Sequence, residues 1–418
     1  MLDPGLRTRS GHHFALDAAI VEFCASRGPP VALYAHRNVE EDVAARVGAT
    51  PLFTHSVYAD NVSPGPQEGR LEREFALINE RCYQDLRALS TDLLGSDDLI
   101  LVHTIRQNHL YGFARWLVEL PGERRPKCTV LHTVESFSED TALTPQAALY
   151  RRAFALLESL PAGAVSLAAP IPPACEELRR LTALPVHLHP IPFPGRHVGA
   201  VSMSRPARTT SSAGRPSLNF AFAGEARREK GFHHLRAAMP IVLRERPDVR
   251  FSVHTGGRTL PWWRGSRTRF RLWRLGSHVA SHFGAMDEDA YRAFLQNADA
   301  IVLPYDPVRY RARGSGVFYE ALALGKPTVL PAKTWMADEA NRLNAGSVTF
   351  HEWSPAAIAH AIEHLAEDIG VQTERSERAS AAWTAQHGIE PFMSFVLGAS
   401  SAGRNQSERD AGKSSSHV

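Results

Sequence analysis

The chain of 418 residues lacks most features of secreted, membrane-spanning and nucleic-acid-binding proteins. Its few cysteines are far apart and show no C-x-x-C spacing, so free buried thiols in a reducing compartment are expected; they are Cys24, Cys82, Cys128 and Cys175. No apolar run approaches the roughly 18–20 residues of a membrane span, and the first residues lack a signal-peptide pattern. The net charge of +3 favours no nucleic-acid partner. These absences predict a cytoplasmic protein.

The sequence does have alternating apolar runs and amphipathic stretches, and its 44% hydrophobic residues suffice for hydrophobic cores. Short continuous apolar runs are typical of parallel strands covered on both faces; they occur at 30–34, 99–102, 128–131 and 164–167, and again at 218–223, 251–254, 300–304 and 328–330. Helical patterns lie between them, as at Phe75, Ile78, Cys82 and Leu86. The alternation predicts α/β architecture with two Rossmann-like, doubly wound domains, at 1–194 and 218–380.

Two segments have the composition of chain outside a folded core. Residues 195–217 are small, polar and proline-containing, which predicts a flexible linker between the two domains. Residues 400–418 are rich in serine, glycine and charge, which predicts a disordered tail.

The most informative segment is 313–327, which begins as a small-residue turn, continues as an apolar helix and ends at Gly-Lys-Pro before a strand. A helix N-terminus preceded by glycines offers N–H groups and a positive dipole end to phosphate. Glu320 is costly in this apolar helix unless a group such as a ribose diol bonds to it. One half of a nucleotide site is therefore predicted, comprising Gly314, Ser315, Gly316, Val317 and Glu320.

A second half is predicted in the turn after the strand 220–223. This turn presents Arg227 and Lys230, which suit a diphosphate, Arg as a bidentate donor and Lys as a point charge. A solvated basic turn is the alternative, and the Glu320 segment about 90 residues later favours the nucleotide site.

These two motifs resemble those of the GT-B glycosyltransferases of the family 4-like group, the glycosyl transferases group 1. The family's G-x-x-R-x-x-K-G turn, which holds the donor diphosphate, corresponds to Gly224, Arg227, Lys230 and Gly231. The second Glu of its E-x7-E motif, which binds the ribose, corresponds to Glu320, whereas Ala312 stands where the first Glu contacts the donor sugar. The resemblance implies two Rossmann-like domains facing a cleft and a C-terminal helix, at 381–399, that crosses back to the first domain.

The resemblance also implies an activity. It predicts a retaining, metal-independent glycosyltransferase, without a cofactor, that moves a sugar from a nucleoside diphosphate sugar to a saccharide or lipid-linked acceptor in cell-surface polysaccharide or glycoconjugate synthesis. Arg227 and Lys230 would then stabilise the charge that grows on the leaving diphosphate. The alternative is a GT-B-shaped binding or scaffold protein that lost its transfer activity together with the first Glu.

Further candidates lie at presumed strand ends, where doubly wound sheets place ligands. GT-B enzymes have a glycine-rich loop at this place that approaches the donor phosphate and the acceptor, so the resemblance implies that Gly11 approaches the donor and that His12 and His13 face the acceptor. Surface histidines are the alternative. Further along the chain, His103 and His132 are predicted to be catalytic. Gln107 and Asn108 are predicted to bind the acceptor, because their amides both donate and accept hydrogen bonds. Tyr305 is predicted to line the base pocket. For the two later histidines a structural role stays open.

Six arginines interleave with aromatic residues in the segment 258–274. One interpretation is a surface helix whose aromatic side chains pack inward while its arginines are solvated. The other is peripheral contact with an anionic membrane surface, or binding of a polyanionic or lipid-diphosphate acceptor. Nucleic acid has no support elsewhere in the chain.

Overall fold

The computed structural model describes residues 1–9, 12–57, 69–89, 94–132, 144–193, 216–225, 227–256, 272, 274–284 and 286–398. The chain divides into two compact units, one comprising Met1–Pro194 with His387–Val418 and the other Gly195–Gln386. Nearly all of the predicted linker and of the basic aromatic segment, and the whole predicted tail, lie outside the described residues. No helix found in the described ranges is long and apolar enough to cross a membrane.

The first unit contains a seven-stranded parallel sheet in the order β3-β2-β1-β4-β5-β6-β7. Its strands are β1 (Leu2–Asp3), β2 (Leu33–His36), β3 (Ala49–Phe53), β4 (Leu99–Ile105), β5 (Lys127–His132), β6 (Val165–Ala169) and β7 (Val186–Leu188). Its helices before the second unit are α1 (His12–Arg27), α2 (Glu41–Val47), α3 (Arg70–Arg87), α4 (Gln107–Glu119), α5 (Pro145–Leu157) and α6 (Pro172–Arg179). The strand order reverses at β1, between β2 and β4, where doubly wound sheets place their sites.

The second unit contains a six-stranded parallel sheet in the order β10-β9-β8-β11-β12-β13. Its strands are β8 (Leu218–Ala223), β9 (Val249–Thr255), β10 (Val279–Phe283), β11 (Ala300–Val302), β12 (Thr328–Pro331) and β13 (Ser347–Phe350). Its helices are α7 (Phe232–Glu245), α8 (Glu288–Gln296), α9 (Gly316–Ala323), α10 (Trp335–Arg342), α11 (Pro355–Glu367) and α12 (Ile369–Gln386). Both units therefore confirm the predicted α/β class with parallel sheets.

The C-terminal part of the chain differs from the single helix predicted for 381–399. The helix α12 ends at Gln386 within the second unit, where Trp383 is fully buried and stacks on Tyr319 with ring centroids 5.9 Å apart. Gly388 has a φ of 116°, a conformation that glycine adopts without strain, and a separate helix α13 follows at 389–398. This last helix packs in the core of the first unit through Phe392, Met393 and Val396.

All four cysteines are buried and unpaired, which confirms the free thiols expected from their spacing. Burial raises the pKa of each of the four thiols, so these side chains pack as small apolar groups.

Candidate active site

The turn after β8 packs directly against the chain that leaves β11. An added Cβ at Gly231, whose φ is 65°, would lie 1.6 Å from the carbonyl oxygen of Pro304, so only glycine fits there. The N–H of Asp306 donates to the carbonyl oxygen of Glu229 over 2.9 Å. Because β8 and β11 are neighbours in the sheet, these contacts bring the two sequence motifs together at one sheet edge.

Lys230 is a buried cation held by tyrosines. Its side chain is almost enclosed, at 9% exposure for the residue, and Nζ donates to Oη of Tyr305 over 2.8 Å. Nζ also lies 4.3 Å from the centroid of the Tyr305 ring and 5.8 Å from that of Tyr310. Among the described residues no carboxylate forms an ion pair with Lys230, and burial lowers its pKa. Such an ammonium has no carboxylate bonded to it among the described residues, and a diphosphate would supply the missing anion.

The hydroxyl of Tyr305 connects Lys230 to the start of α9. Oη of Tyr305 lies 3.3 Å from Oγ of Ser315, and this Oγ caps the helix by accepting from the N–H of Phe318 over 3.4 Å. The first N–H groups of a helix have no acceptor within it and carry the positive end of its dipole. Lys230 and this helix N-terminus therefore both place positive charge near the hydroxyl of Tyr305.

Gly314, Gly316 and Val317 differ in how open their surroundings are. Gly314 packs against the hydroxyl of Tyr319, where an added Cβ would lie 1.7 Å from the oxygen. Gly316 is exposed with no heavy atom within 4 Å of an added Cβ, so its backbone is open to approach. The side chain of Val317 is buried, so only its backbone N–H can serve a ligand.

Glu320 lies on the same helix and has one hydrogen-bond donor. Oη of Tyr291 on α8 donates to Oε2 of Glu320 over 2.9 Å. Burial raises the pKa of Glu320 to about 7, although the bond from Tyr291 and the charge of Lys230 oppose the rise. Tyr291 was not among the predicted site residues, because nothing in the spacing of the sequence connects it to Glu320.

Arg227 stands on the same turn as Lys230 in a more open setting. Its side chain is 41% exposed, with Nε 3.4 Å from Oε2 of Glu225 and Nη1 3.4 Å from Oε1 of Glu229. These long ion pairs lie near the surface and are weak. Arg227 is therefore able to leave these two carboxylates and bind a more highly charged anion.

Basic residues flank Ala312, which stands where the E-x7-E motif has its first Glu. Ala312 is buried, and the guanidinium of Arg313 lies 5.2 Å from the centroid of Tyr310, the ring that also faces Lys230. The charges of Arg227 and Arg313 both act to lower the pKa of Lys230, after burial itself. Arg311 is exposed. Arg313 thus adds to the positive charge of the site.

In the first unit, two predicted site histidines belong to a buried ionic cluster. Nδ1 of His13 lies 2.9 and 2.8 Å from the two carboxylate oxygens of Asp3, and Nε2 of His103 lies 2.7 Å from Oδ1 of Asp17 and 3.4 Å from Oδ2 of Asp3. All four residues are buried. Contacts of 2.7–2.9 Å are hydrogen bonds, shorter than the roughly 3.4 Å that separates ligands bound to zinc at about 2.1 Å.

The charges of this cluster balance one another. Burial by itself lowers the pKa of His103. The charges of Asp3 and Asp17 outweigh this effect and raise that pKa to about 9. Burial tends to raise the pKa of Asp3, yet His103 and His13 hold it well below its usual range. Burial raises the pKa of Asp17 to about 7. Sequence reasoning missed Asp17, although its place on the apolar face of α1 was a signal that it has a buried partner.

Fewer contacts are described for the remaining predicted site residues. Asn108 is buried in the first turn of α4, and its Oδ1 accepts no hydrogen bond from the described residues, while Gln107 beside it is half-buried. The ring of His12 contacts that of His13 at a tilt of 33°, with centroids 4.3 Å apart. Gly11 and the side chain of His132 lie outside what the structure describes.

Comparisons with known proteins match part of the second unit to a family and both units to known folds. Residues 217–368 match the family model for glycosyl transferases group 1. Sucrose-phosphate synthase from Thermosynechococcus elongatus superimposes with a TM-score of 0.66 at 16% identity, covering 98% of this chain and 97% of that one. HepE from Anabaena, solved with UDP and glucose, gives 0.62 at 12% identity over 96% and 98%. WaaG, a glycosyltransferase involved in lipopolysaccharide biosynthesis, gives 0.58 at 14% identity over 96% and 98%.

No curated protein matches the chain by sequence. The structural neighbours are GT-B glycosyltransferases, and the likeness to them extends over nearly the whole chain. The matched family model falls on the second unit, which carries the turn at Lys230 and the helix at Glu320. The chain therefore has the GT-B fold, and its residues 217–368 match the family model for glycosyl transferases group 1.

Proposed function

We propose that the protein transfers a sugar from a nucleoside diphosphate sugar to a saccharide or lipid-linked acceptor in cell-surface polysaccharide or glycoconjugate synthesis. The observation that carries the proposal is Lys230, a buried ammonium that has hydroxyl and aromatic neighbours but no paired carboxylate among the described residues. A buried cation is costly unless an anion compensates it. The donor diphosphate has the charge and size to do so.

The proposed mechanism follows from where charge develops. When the bond between the anomeric carbon and the diphosphate oxygen breaks, negative charge accumulates on the leaving diphosphate. Lys230, Arg227 and the N–H groups at the start of α9 would stabilise that charge, which is the usual main contribution in such reactions. Glu320 would accept hydrogen bonds from the ribose. Retention of configuration and independence of metals and cofactors are carried over from the resemblance and stay predictions.

The neighbours suggest which ligands to try first. HepE was solved with UDP and glucose, and WaaG is involved in lipopolysaccharide biosynthesis. These names support a uridine nucleotide as the first donor and a lipid-linked saccharide as the first acceptor class.

The test is thermal unfolding of the purified protein with UDP-, ADP- and GDP-sugars. A ligand at 100 times its dissociation constant stabilises by about 2.7 kcal/mol, which shifts the melting temperature measurably. The Lys230→Ala protein should show a much smaller shift with the same ligand. If none of these nucleotide sugars stabilises the wild type, the proposed donor site is wrong.

A transfer assay separates the enzyme from the alternative of an inactive binding protein. The donor that stabilises the protein is radiolabelled in its sugar and incubated with protein and acceptor lipid extracts. Release of nucleoside diphosphate together with labelled acceptor or free sugar supports an enzyme. Stabilisation without any release or transfer would favour the binding protein.

A further inference from the structure

We propose that Tyr291 is a positioning residue that orients Glu320 for the donor ribose, and that binding of the nucleotide sugar releases the proton of Glu320. Affinity for the donor would then rise with pH through neutrality. The inference rests on the proposed function of the same site.

The geometry assigns different tasks to the two oxygens of Glu320. Oε2 accepts the hydroxyl of Tyr291 over 2.9 Å, while Oε1 accepts no hydrogen bond from any residue that the structure describes. A carboxylate oxygen has two acceptor positions. With one oxygen fixed on Tyr291, the carboxylate plane is set, and Oε1 is left for hydroxyls of a ligand.

The charged and titratable groups around Glu320 come from several elements. Tyr291 faces it from α8, Lys230 from the turn after β8, and Tyr305 from the segment after β11, where burial and then the charge of Glu320 raise the pKa of the phenol. On β9, His254 packs its ring against Tyr291, with centroids 5.9 Å apart. Lys230 is the only cation among these groups to act on Glu320. Its charge favours the ionised form, while burial disfavours it.

The proton balance of binding follows from these surroundings. Burial raises the pKa of Glu320 to about 7, so near pH 7 about half of the free protein carries a neutral carboxyl group. A ribose diol donates hydrogen bonds, and an ionised carboxylate accepts them best. Binding therefore selects the ionised form, and the proton of the neutral form goes to the buffer. The free protein becomes less competent to bind as the pH falls below 7.

Calorimetry with a nucleotide sugar tests this, using whichever of UDP-glucose, ADP-glucose and GDP-mannose stabilises the protein. Nucleotide sugars suit the test because their diphosphate diesters do not titrate near neutrality, unlike free nucleoside diphosphates. We expect affinity to rise about tenfold from pH 6 to pH 8, as a single pKa near 7 requires. Paired buffers of different ionisation enthalpy should report release of about half a proton at pH 7.

Three variants test which residues cause the pH dependence of donor affinity. Tyr291→Phe should weaken binding at pH 7 and move the midpoint to higher pH, because the lost bond had favoured the ionised carboxylate. Glu320→Gln should bind with no pH dependence in this range. Tyr83→Phe is the matched control, since it removes a Tyr–Glu bond of 2.5 Å to Glu119 in the first unit and should change nothing.

The outcomes separate this inference from the proposed function. A wild type that binds none of the three sugars would contradict the donor site itself. A wild type that binds with flat affinity from pH 6 to pH 8 and releases no proton would overturn the proton linkage while leaving the donor site in place. Circular dichroism confirms folding of each variant, and the proton release of the wild type decides the linkage even if Tyr291→Phe fails to fold.

Discussion

Each unit buries ionisable side chains beside the central strands of its sheet, yet the two groups are neutralised differently. In the first unit, Asp3 and Asp17 are bonded to His13 and His103 over 2.7–2.9 Å, so positive and negative charge are neutralised within the protein. In the second unit, Lys230 contacts only neutral hydroxyls and aromatic rings among its described close neighbours.

The difference is between a cluster with a structural role and a cation in the proposed donor site. A cluster whose charges are matched loses stability when one member is removed, because an uncompensated charge then stays buried. A buried cation without an anion costs stability in the free protein and recovers it when a ligand binds. The two units should therefore respond in opposite ways to mutation, with stability lost in the first and ligand affinity lost in the second.

The largest effect is expected from His103→Ala in the first unit. Removing this imidazole leaves Asp3 and Asp17 buried without their shared cation, which should lower the free energy of unfolding by about 3–5 kcal/mol. Urea denaturation at pH 7 measures the loss, with His187→Ala as the exposed control in the same unit. A loss below about 1 kcal/mol would contradict a structural role and leave His103 as a catalytic candidate.

The raised pKa of His103 predicts the direction in which the stability of the first unit changes with pH. The folded pKa of His103, about 9, lies above the usual 6.5. Its contribution to stability is therefore complete below pH 6.5 and is lost as the pH rises through 9. Urea denaturation of the wild type at pH values across that window should measure this loss.

Lys230→Ala should have the next largest effect, and on binding rather than on stability. Loss of the charge-assisted contact should weaken nucleoside diphosphate binding by about 1.5–3 kcal/mol. Because a buried ammonium is no longer desolvated, the melting temperature should not fall. Calorimetry with UDP measures the affinity, and Arg228→Ala on the exposed side of the same turn is the control. Unchanged affinity would remove Lys230 from the site.

Glu320→Gln should stabilise the free protein in a pH-dependent way. The folded pKa of about 7 exceeds the usual 4.5, so folded Glu320 holds a proton between these values that the unfolded chain has lost. Stability therefore declines as the pH rises from 4.5 to 7 and stays low above it. At pH 8 the variant should gain about 1–3 kcal/mol, and at about pH 4, below both pKa values, almost nothing. Glu374→Gln, exposed on α12, should show no difference, and equal gains at both pH values would exclude the ionisation as the cause.

The parts of the site that sequence reasoning found are those encoded by short spacings. The turn from Gly224 to Gly231 and the helix start from Gly314 to Glu320 each follow a strand, and β8 and β11 are neighbours, so their meeting follows from the parallel sheet. The stop at Gly388 was also visible in the sequence as a glycine between two helical patterns. It was overlooked because a single crossover helix was expected.

The parts that were missed depend on side chains reaching across elements. Tyr291 meets Glu320 from a helix whose rotation about its axis no short motif fixes, and Tyr310 joins the site through its ring contact with Tyr305, 4.4 Å between centroids. Asp3 and Asp17 were not considered as partners of His13 and His103, because pairing across β1, α1 and β4 requires the register of the whole sheet. Local patterns predict elements and turns, but not these contacts.

The smallest effect is expected from Arg313→Ala. The guanidinium lies against Tyr310 beside Lys230, in a site where Ala312 offers no carboxylate to a donor sugar. Because arginine only donates hydrogen bonds, a sugar bearing a carboxylate should gain more from it than a neutral sugar does. The half-buried setting of Arg313 should limit this gain to about 1 kcal/mol.

A donor pair measures the effect: UDP-glucuronic acid and UDP-glucose, titrated into the wild type and into the arginine variants. Arg313→Ala should lose about 1 kcal/mol for the acidic sugar and less than about 0.5 kcal/mol for the neutral one. Arg311→Ala, exposed on the same segment, should lose neither. Equal losses for both sugars would make Arg313 a general contributor to the field on the diphosphate. No loss for either sugar would show that the sugar contact replacing the first motif Glu comes from elsewhere, with the backbone of Gly314 and Gly316 as the next place to test.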